Sequence, residues 1–490
     1  MDWIRDEFRT LDLGDARLER RAALLLGRLF ADPQASVNAA CQGWAETQAA
    51  YRFFDNPSVT PDKILAPHTD ATVARARLHH VILAVQDSTE LDFSAHPPDG
   101  AGPLHSLAQL GFLDHTHLAL TPEGLCLGVL GADRHARSPD GFGQAKSRQY
   151  DPIQSKETFR WLLGYRLACR LAEQVGPDTL VVSVADCEGD LYEVFAEADG
   201  LARQAPAAAR AEYVVRMGKD RSLTEPDPAS GPDAYRKVRQ ELRAAPVLAT
   251  RRLRLRRTPK RRPRAADLEV RACAVELKAP YRKGVSLPGL RVNVVWVREV
   301  GAPAGVEAVE WLLLTSLPID TAERVLLVVD YYVGRWPIEV FFRVYKSGCR
   351  VEEVRLETAA RLLPCLMLYK VVAWRVMYLT ALGREVPEMP CDVAFCEREW
   401  KPVWQVATGQ APPEAAPPLG EMVRLLGQLG GHNGRKGDGP PGAEAVWRGV
   451  RRMADLALAW QTFGPGAHHS QPPAPKGNPP DKRTKPKTCV

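Results

Sequence analysis

The sequence predicts an α/β protein: a buried sheet in the middle of the chain, with helical regions before and after it. Two short apolar runs, 81–85 and 180–185, have the continuous hydrophobicity of strands buried on both faces, and both lead into an acid, Asp87 and Asp186. A hairpin pattern and a long amphipathic helix lie between them. Outside them, apolar residues recur at helical spacing, punctuated by proline and capping residues.

At 490 residues the chain is too long for a single core and predicts about three domains. Its 45% hydrophobic and 25% charged content is that of an ordinary soluble protein. The first residues, Met1-Asp-Trp-Ile-Arg-Asp-Glu, carry no apolar core of a secretory signal. The best membrane candidate, 362–374, is interrupted by Lys370, so no membrane partner and a cytoplasmic location are expected. Ten cysteines are scattered without a CxxC pair; the closest, Cys391 and Cys396, lack partners at zinc spacing and read as reduced core thiols. The net charge of +6 is modest, and its clustering matters more than its size.

Residues 1–75 read as an N-terminal helical domain. Pro33 ends one helix and Ser36 caps the next; a further helix over 39–56 stops at Asn56-Pro57. Trp44, Tyr51 and Phe54 recur there at helical spacing, as core residues do. Arginines between short helices equally fit a DNA-binding bundle, and composition alone leaves the two readings level.

Residues 76–375 form the expected catalytic core. After the strand at 81–85, residues 117–130 predict a hairpin about Pro122-Glu-Gly, and 155–175 a helix capped by Ser155 and stopped by Gly176-Pro177. Phe159, Leu163, Leu167 and Leu171 mark its apolar face, and 180–185 returns to the sheet. Strand, hairpin, helix, strand is the order of a ribonuclease-H-like core. A β-rich insertion is expected over about 212–310, with strict alternation at 268–277. Within it, residues 251–264 hold nine positive charges in fourteen positions and no acid. A basic run is usually a solvated loop; this density points to a surface that follows phosphates, with Arg254, Arg256, Arg257, Arg261 and Arg262 as candidate contacts. The run Trp311-Leu-Leu-Leu-Thr315 rejoins the sheet. Residues 376–462 read as a C-terminal helical region, and 463–490 as a disordered basic, proline-rich tail.

The stretch 331–346 carries the most information. Pro337 fits the first turn of a helix, and the residue before it is biased out of helical geometry, so one helix ends near Gly334 and another starts at Pro337. Glu339 then sits in a first turn, with Lys346 seven residues on along the same face and Tyr332 and Arg335 just before the break. One carboxylate beside Tyr, Arg and Lys suits a site that holds a metal and grips phosphate. The bland alternative is an amphipathic helix with solvated charges. Likewise a strand-terminal Asp is commonly a turn or cap residue. Three carboxylates brought together repel one another unless cations stand between them, and hard divalent cations take oxygen ligands.

The spacing Tyr332-x2-Arg335-x3-Glu339-x6-Lys346 resembles the Tyr-Arg-Glu-Lys motif of DDE transposases of the insertion-sequence-four family. Ala-Tyr-Arg-Phe-Phe-Asp-Asn at 50–56 resembles that family's N-terminal end-recognition domain. The resemblance spans about 10–365 and fades beyond. It implies that Asp87, Asp186 and Glu339 are the three metal ligands, ahead of Glu188 and Asp190, for two magnesium ions, with manganese a possible substitute. It implies that Tyr332, Arg335 and Lys346 hold a DNA phosphate, that Trp311 stacks a flipped base, and that a homodimer, joined through the region 376–462, binds double-stranded DNA as transposon ends and target. The implied activity is cut-and-paste transposition. The alternatives are a non-catalytic DNA-binding regulator and a nuclease without strand transfer.

Overall fold

The computed structural model describes residues 2–143, 148–204, 210–231, 233–255, 263–435 and 437–465. Five helices open the chain: α1 (Asp2–Glu7), α2 (Ala16–Ala31), α3 (Val37–Ala40), α4 (Trp44–Phe54) and α5 (Pro61–Ala76). Asp15, Ser36 and Thr60 start α2, α3 and α5 by accepting a bond from a first-turn backbone N–H. The single helix expected over 39–56 is interrupted, because Gly43 takes φ 104° and restarts the chain as α4. Trp44, expected in the core, is 74% exposed at the start of that helix.

The sheet begins with β1 (Val81–Asp92), β2 (Gly102–Pro103), β3 (Leu110–Leu120) and β4 (Cys126–His135). Then come α6 (Phe159–Val175), β5 (Leu180–Ala185), α7 (Tyr192–Gln204) and β6 (Glu212–Arg216). β3 is antiparallel to β1 and β4 to β3, whereas β5 runs parallel to β1 and β6 parallel to β5. The spatial order is therefore β4-β3-β1-β5-β6, three antiparallel strands followed by two parallel to the first. Two details of α6 differ from expectation. Ser155 lies in a separate 3-10 turn, and the buried face is Trp161, Leu162, Tyr165, Ala168 and Leu171, while Leu163 is exposed.

The β-rich insertion forms β7 (Ser222–Pro226), β8 (Tyr235–Lys237), helix α8 (Val238–Ala244), β9 (Val247–Leu255), β10 (Arg264–Leu277) and β11 (Leu290–Val300). β12 (Glu310–Thr315) pairs with β11 on one side and β6 on the other. The insertion thus prolongs the same sheet, and β6, expected as its first residues, belongs to the parallel part. In β10 the alternation slips: Ala266, Leu268, Val270 and Ala272 face one apolar layer, Val275 and Leu277 the other. Its two halves are covered from opposite sides. Of the predicted basic contacts, Arg254 is exposed on β9, while Arg256, Arg257, Arg261 and Arg262 lie outside the described residues.

The chain closes with α9 (Ala322–Val333), α10 (Pro337–Arg343), α11 (Ala359–Glu385), α12 (Glu397–Thr408), α13 (Leu419–Leu429) and α14 (Ala443–Phe463). The helix α11 runs straight through residue 375, the expected domain boundary, and packs against α2, α5 and β4. It is long and apolar enough to cross a membrane, yet 89% of that window is buried inside the fold. Lys370 is tolerated there because it is paired with Asp114 at 2.6 Å. N-terminal helices, one face of the sheet and C-terminal helices share a single apolar core. Of the expected core thiols, Cys187 is exposed. The predicted tail beyond 465 lies outside the described residues.

Candidate active site

Strand register builds the site. Val85 pairs with Val184 and Val184 with Val214, so two steps further Asp87, Asp186 and Arg216 stand level on three adjacent parallel strands. Side chains alternate across a strand, so Leu83, Val85, Val182, Val184 and Val214 all face the layer that holds α9 and α10, and the three charged residues follow on that face. Asp87 is not at a strand end as expected: β1 continues to Asp92 because β3 still pairs with it there. It lies where its parallel neighbour stops. Asp186 directly follows the last residue of β5, and its carboxylate accepts the Glu188 backbone N–H at 2.9 Å.

The break between α9 and α10 falls where predicted, although Trp336 keeps helical geometry (φ −50°, ψ −34°) despite preceding Pro337. Gly334 is needed for proximity. A Cβ there would come 2.6 Å from Leu83 Cδ1, so the junction lies directly on β1. This packing delivers Arg335 to the acids. Its Nη1 is 2.7 Å from Asp87 Oδ2 and its Nη2 is 2.8 Å from Glu339 Oε1. Burial pushes the Asp87 carboxyl up to about 6, with Asp186 adding to the rise and Arg335 opposing it. Burial works against the Arg335 charge, but Asp87, Tyr332, Glu339 and Asp186 more than offset it and hold its pKa above the ordinary value.

The other predicted residues fall around this row. Tyr332 is buried beside Arg335, and the Trp311 ring meets it edge-on at 5.2 Å between centroids. Trp311 is half-buried, neither a core residue nor an open platform. Lys346 sits in a π turn, Val344–Gly348, and its ammonium is held by the Glu90 carbonyl at 2.7 Å and Glu352 at 3.0 Å. Asp190 is taken up by Arg221 at 2.6 Å, and Glu188 lies beyond the strand end, facing Arg160 at 3.7 Å. Arg216 was missed. Burial raises the Tyr332 hydroxyl above its ordinary value, with Arg335 and then Arg216 opposing the rise, and the signal for Arg216 was there: a third apolar run, 213–215, that also ends on a charge.

Among the described residues, no three His, Cys, Asp or Glu side chains stand grouped as a ready metal site, since Arg335 interposes between Asp87 and Glu339. The chemistry of the donor set nonetheless fits hard divalent cations. It is oxygen-only, with Asp87, Asp186 and Glu339 supplying carboxylates alone.

Comparison with known proteins adds to both ends of the chain. Residues 1–59 match the model described as Transposase DNA-binding. Residues 371–461 match the Transposase Tn5 dimerisation domain, so the likeness expected to fade after about 365 extends through the C-terminal helices. Together they support a transposase; the second match points in particular to one like that of Tn5. A solved structure, "Cryo-EM structure of piggyBac transposase synaptic complex with hairpin DNA (SNHP)", is similar at 9% identity and a TM-score of 0.33. That match covers 75% of this chain and 66% of the other.

Proposed function

We propose that the protein is a DDE transposase of the insertion-sequence-four type, which binds transposon ends, cleaves the donor DNA and joins the freed 3′ ends to a target. The observation that carries this reading is the level row of Asp87 and Asp186 on adjacent strands, with Glu339 brought against it through Arg335. The strand order, three antiparallel and two parallel, supports a ribonuclease-H-like core.

In this reading Asp87, Asp186 and Glu339 hold two magnesium ions, or manganese in their place. Bound there, the ions supply Lewis acidity that activates a water and stabilises the leaving oxygen. The chain's own residues do the positioning. Arg335 passes from the carboxylates to a DNA phosphate, matching its fork to two phosphate oxygens. Lys346, fixed by the Glu90 carbonyl, presents a point charge further along β1. Trp311 stacks a base turned out of the duplex. Residues 1–59 recognise the ends, 371–461 join two copies on double-stranded DNA, and the protein works on chromosomal DNA in the cytoplasm.

Incubation with magnesium and DNA from the protein's own locus, flanks included, tests this. Excised and joined products are expected. Cleavage without joining would leave a nuclease, and binding without cleavage a regulator.

A further inference from the structure

We propose that Glu352 is a positioning residue for cleavage, holding the Lys346 ammonium against the strand that carries Asp87; this rests on the phosphate-binding role given to Lys346 above. Strand β1 explains the need. Its parallel neighbour β5 pairs with it only as far as Val85, whereas β3 pairs on its other side to Asp92. The Phe93 N–H reaches across to the Leu110 carbonyl at the start of β3, so the backbone groups of Glu90 and Asp92, of opposite parity, point to the edge that β5 has left. They need other partners. Two side chains take the place of the missing strand. Lys346 Nζ donates to the Glu90 carbonyl at 2.7 Å, and Glu352 Oε1 accepts the Asp92 N–H at 2.9 Å. The same Glu352 oxygen lies 3.0 Å from Lys346 Nζ, so the two side chains also close on each other.

The chain takes an unusual path to make this contact. Lys346 lies in the π turn, and Arg350 follows with φ 50°, the one positive φ outside glycine among the described residues. Both are conformations that gather where function constrains the backbone. Buried Cys349 and Val351 anchor the reversal, which brings the 3-10 turn Val351–Glu353 back onto β1. A glutamate needed only to satisfy the Asp92 N–H would not have to meet Lys346 as well. An ammonium has three N–H donors. With two directed at Glu90 and Glu352, the third is left for a phosphate oxygen, on a side chain that is 31% exposed. Its direction is then set by the backbone of the strand that bears Asp87. The Glu352 charge itself repels phosphate, so this residue contributes geometry and not affinity.

The test is a double-mutant cycle on the full-length protein, reading single-turnover cleavage of saturating end duplex with magnesium. Glu352→Ala should cut at least about tenfold more slowly, yet bind the duplex without metal as tightly as the parent or more tightly. Lys346→Ala should also cut slowly, and adding Glu352→Ala to it should change the rate little, since both act through one ammonium. Glu352→Gln keeps an oxygen for the Asp92 N–H and for Lys346, and should recover most of the rate. A residue that only closes the β1 edge would lower the melting temperature and leave the cleavage rate of the folded protein unchanged. That result overturns the inference, as do additive losses in the double variant or a glutamine protein as slow as the alanine one. Should the alanine protein fold poorly, Glu352→Asp decides. Its shorter arm cannot reach both partners, so slow cleavage supports the role and parent-like cleavage overturns it. A parent that cuts beside a Glu352→Ala protein that cuts equally defeats this inference alone. A parent that does not cut defeats the proposed function as well.

Discussion

Asp87 stands level with Asp186 on the neighbouring parallel strand, two register steps past the Val85–Val184 pair, with Arg335 clamped to it at 2.7 Å. Asp87 and Glu339 share the Arg335 guanidinium, and that arrangement predicts separable effects on binding and cleavage. Asp87→Asn, Asp186→Asn and Glu339→Gln should each abolish magnesium-dependent cleavage, since in the proposed function each would remove an oxygen ligand from a charge-stabilising site worth several kcal/mol. End binding should stay near the parent value, measured by gel shift beside the cleavage gel. A variant that cuts at near-parent rate removes that residue from the site.

Gly334 predicts a mechanical link. Adding a methyl 2.6 Å from Leu83 Cδ1 should lever the α9–α10 junction off β1 and carry Arg335 away from Asp87. Gly334→Ala should cost about 1–3 kcal/mol in stability and reduce cleavage beyond what that loss explains. Shortening the opposing side chain, Leu83→Val, should restore part of both in the double variant. Thermal melts and single-turnover cleavage on all three proteins check this.

The Trp311 ring packs edge-on against Tyr332 but remains half-exposed, so its removal should not unfold the sheet. Under the proposed base-stacking role, Trp311→Ala is expected to melt near the parent temperature, still nick the first strand, and fail to form a hairpin. Such stacking is worth about 1–3 kcal/mol. Parallel loss of stability and of both products would assign Trp311 to packing alone.

Glu7 predicts the acid limb of stability. His68 Nε2 accepts the Val129 N–H at 2.9 Å, so its proton is on Nδ1, facing Glu7 at 2.5 Å, while Arg75 grips the same carboxylate. Burial raises the Glu7 carboxyl, but these partners overcome it and lower its pKa from the ordinary 4.5 to about 2. A carboxylate depressed on folding stabilises fully above its unfolded pKa, and that stability, on the order of 3 kcal/mol, is lost as pH falls through the folded value. Glu7→Gln should therefore be less stable than the parent at pH 7, with the gap closing between about pH 4.5 and 2. Denaturant melts across that range read it directly.

The basic run makes an electrostatic prediction. Changing Arg254, Arg256, Arg257, Arg261 and Arg262 to Gln should weaken DNA binding across sequences and flatten its dependence on salt, by about 0.9 in slope for each phosphate no longer neutralised. An unchanged slope in a folded variant would make the run a solvated loop.

The sequence by itself determined the elements whose cause is local. Pro337 and Gly334 marked the α9–α10 break, the apolar runs at 81–85 and 180–185 marked buried strands, and the spacing from Tyr332 to Lys346 marked the candidate site. Tertiary structure decided what depends on partners distant in the chain. β1 runs past Asp87 because β3 continues to pair with it, and Arg216 joins the row because β6 lies parallel to β5. The insertion extends the main sheet because β12 bridges β6 and β11. Helix α11 crosses the expected boundary at 375 because its apolar surface is covered from both ends of the chain at once. Periodicity reports which face of an element is apolar, whereas register and covering layers follow from the packing of segments hundreds of residues apart.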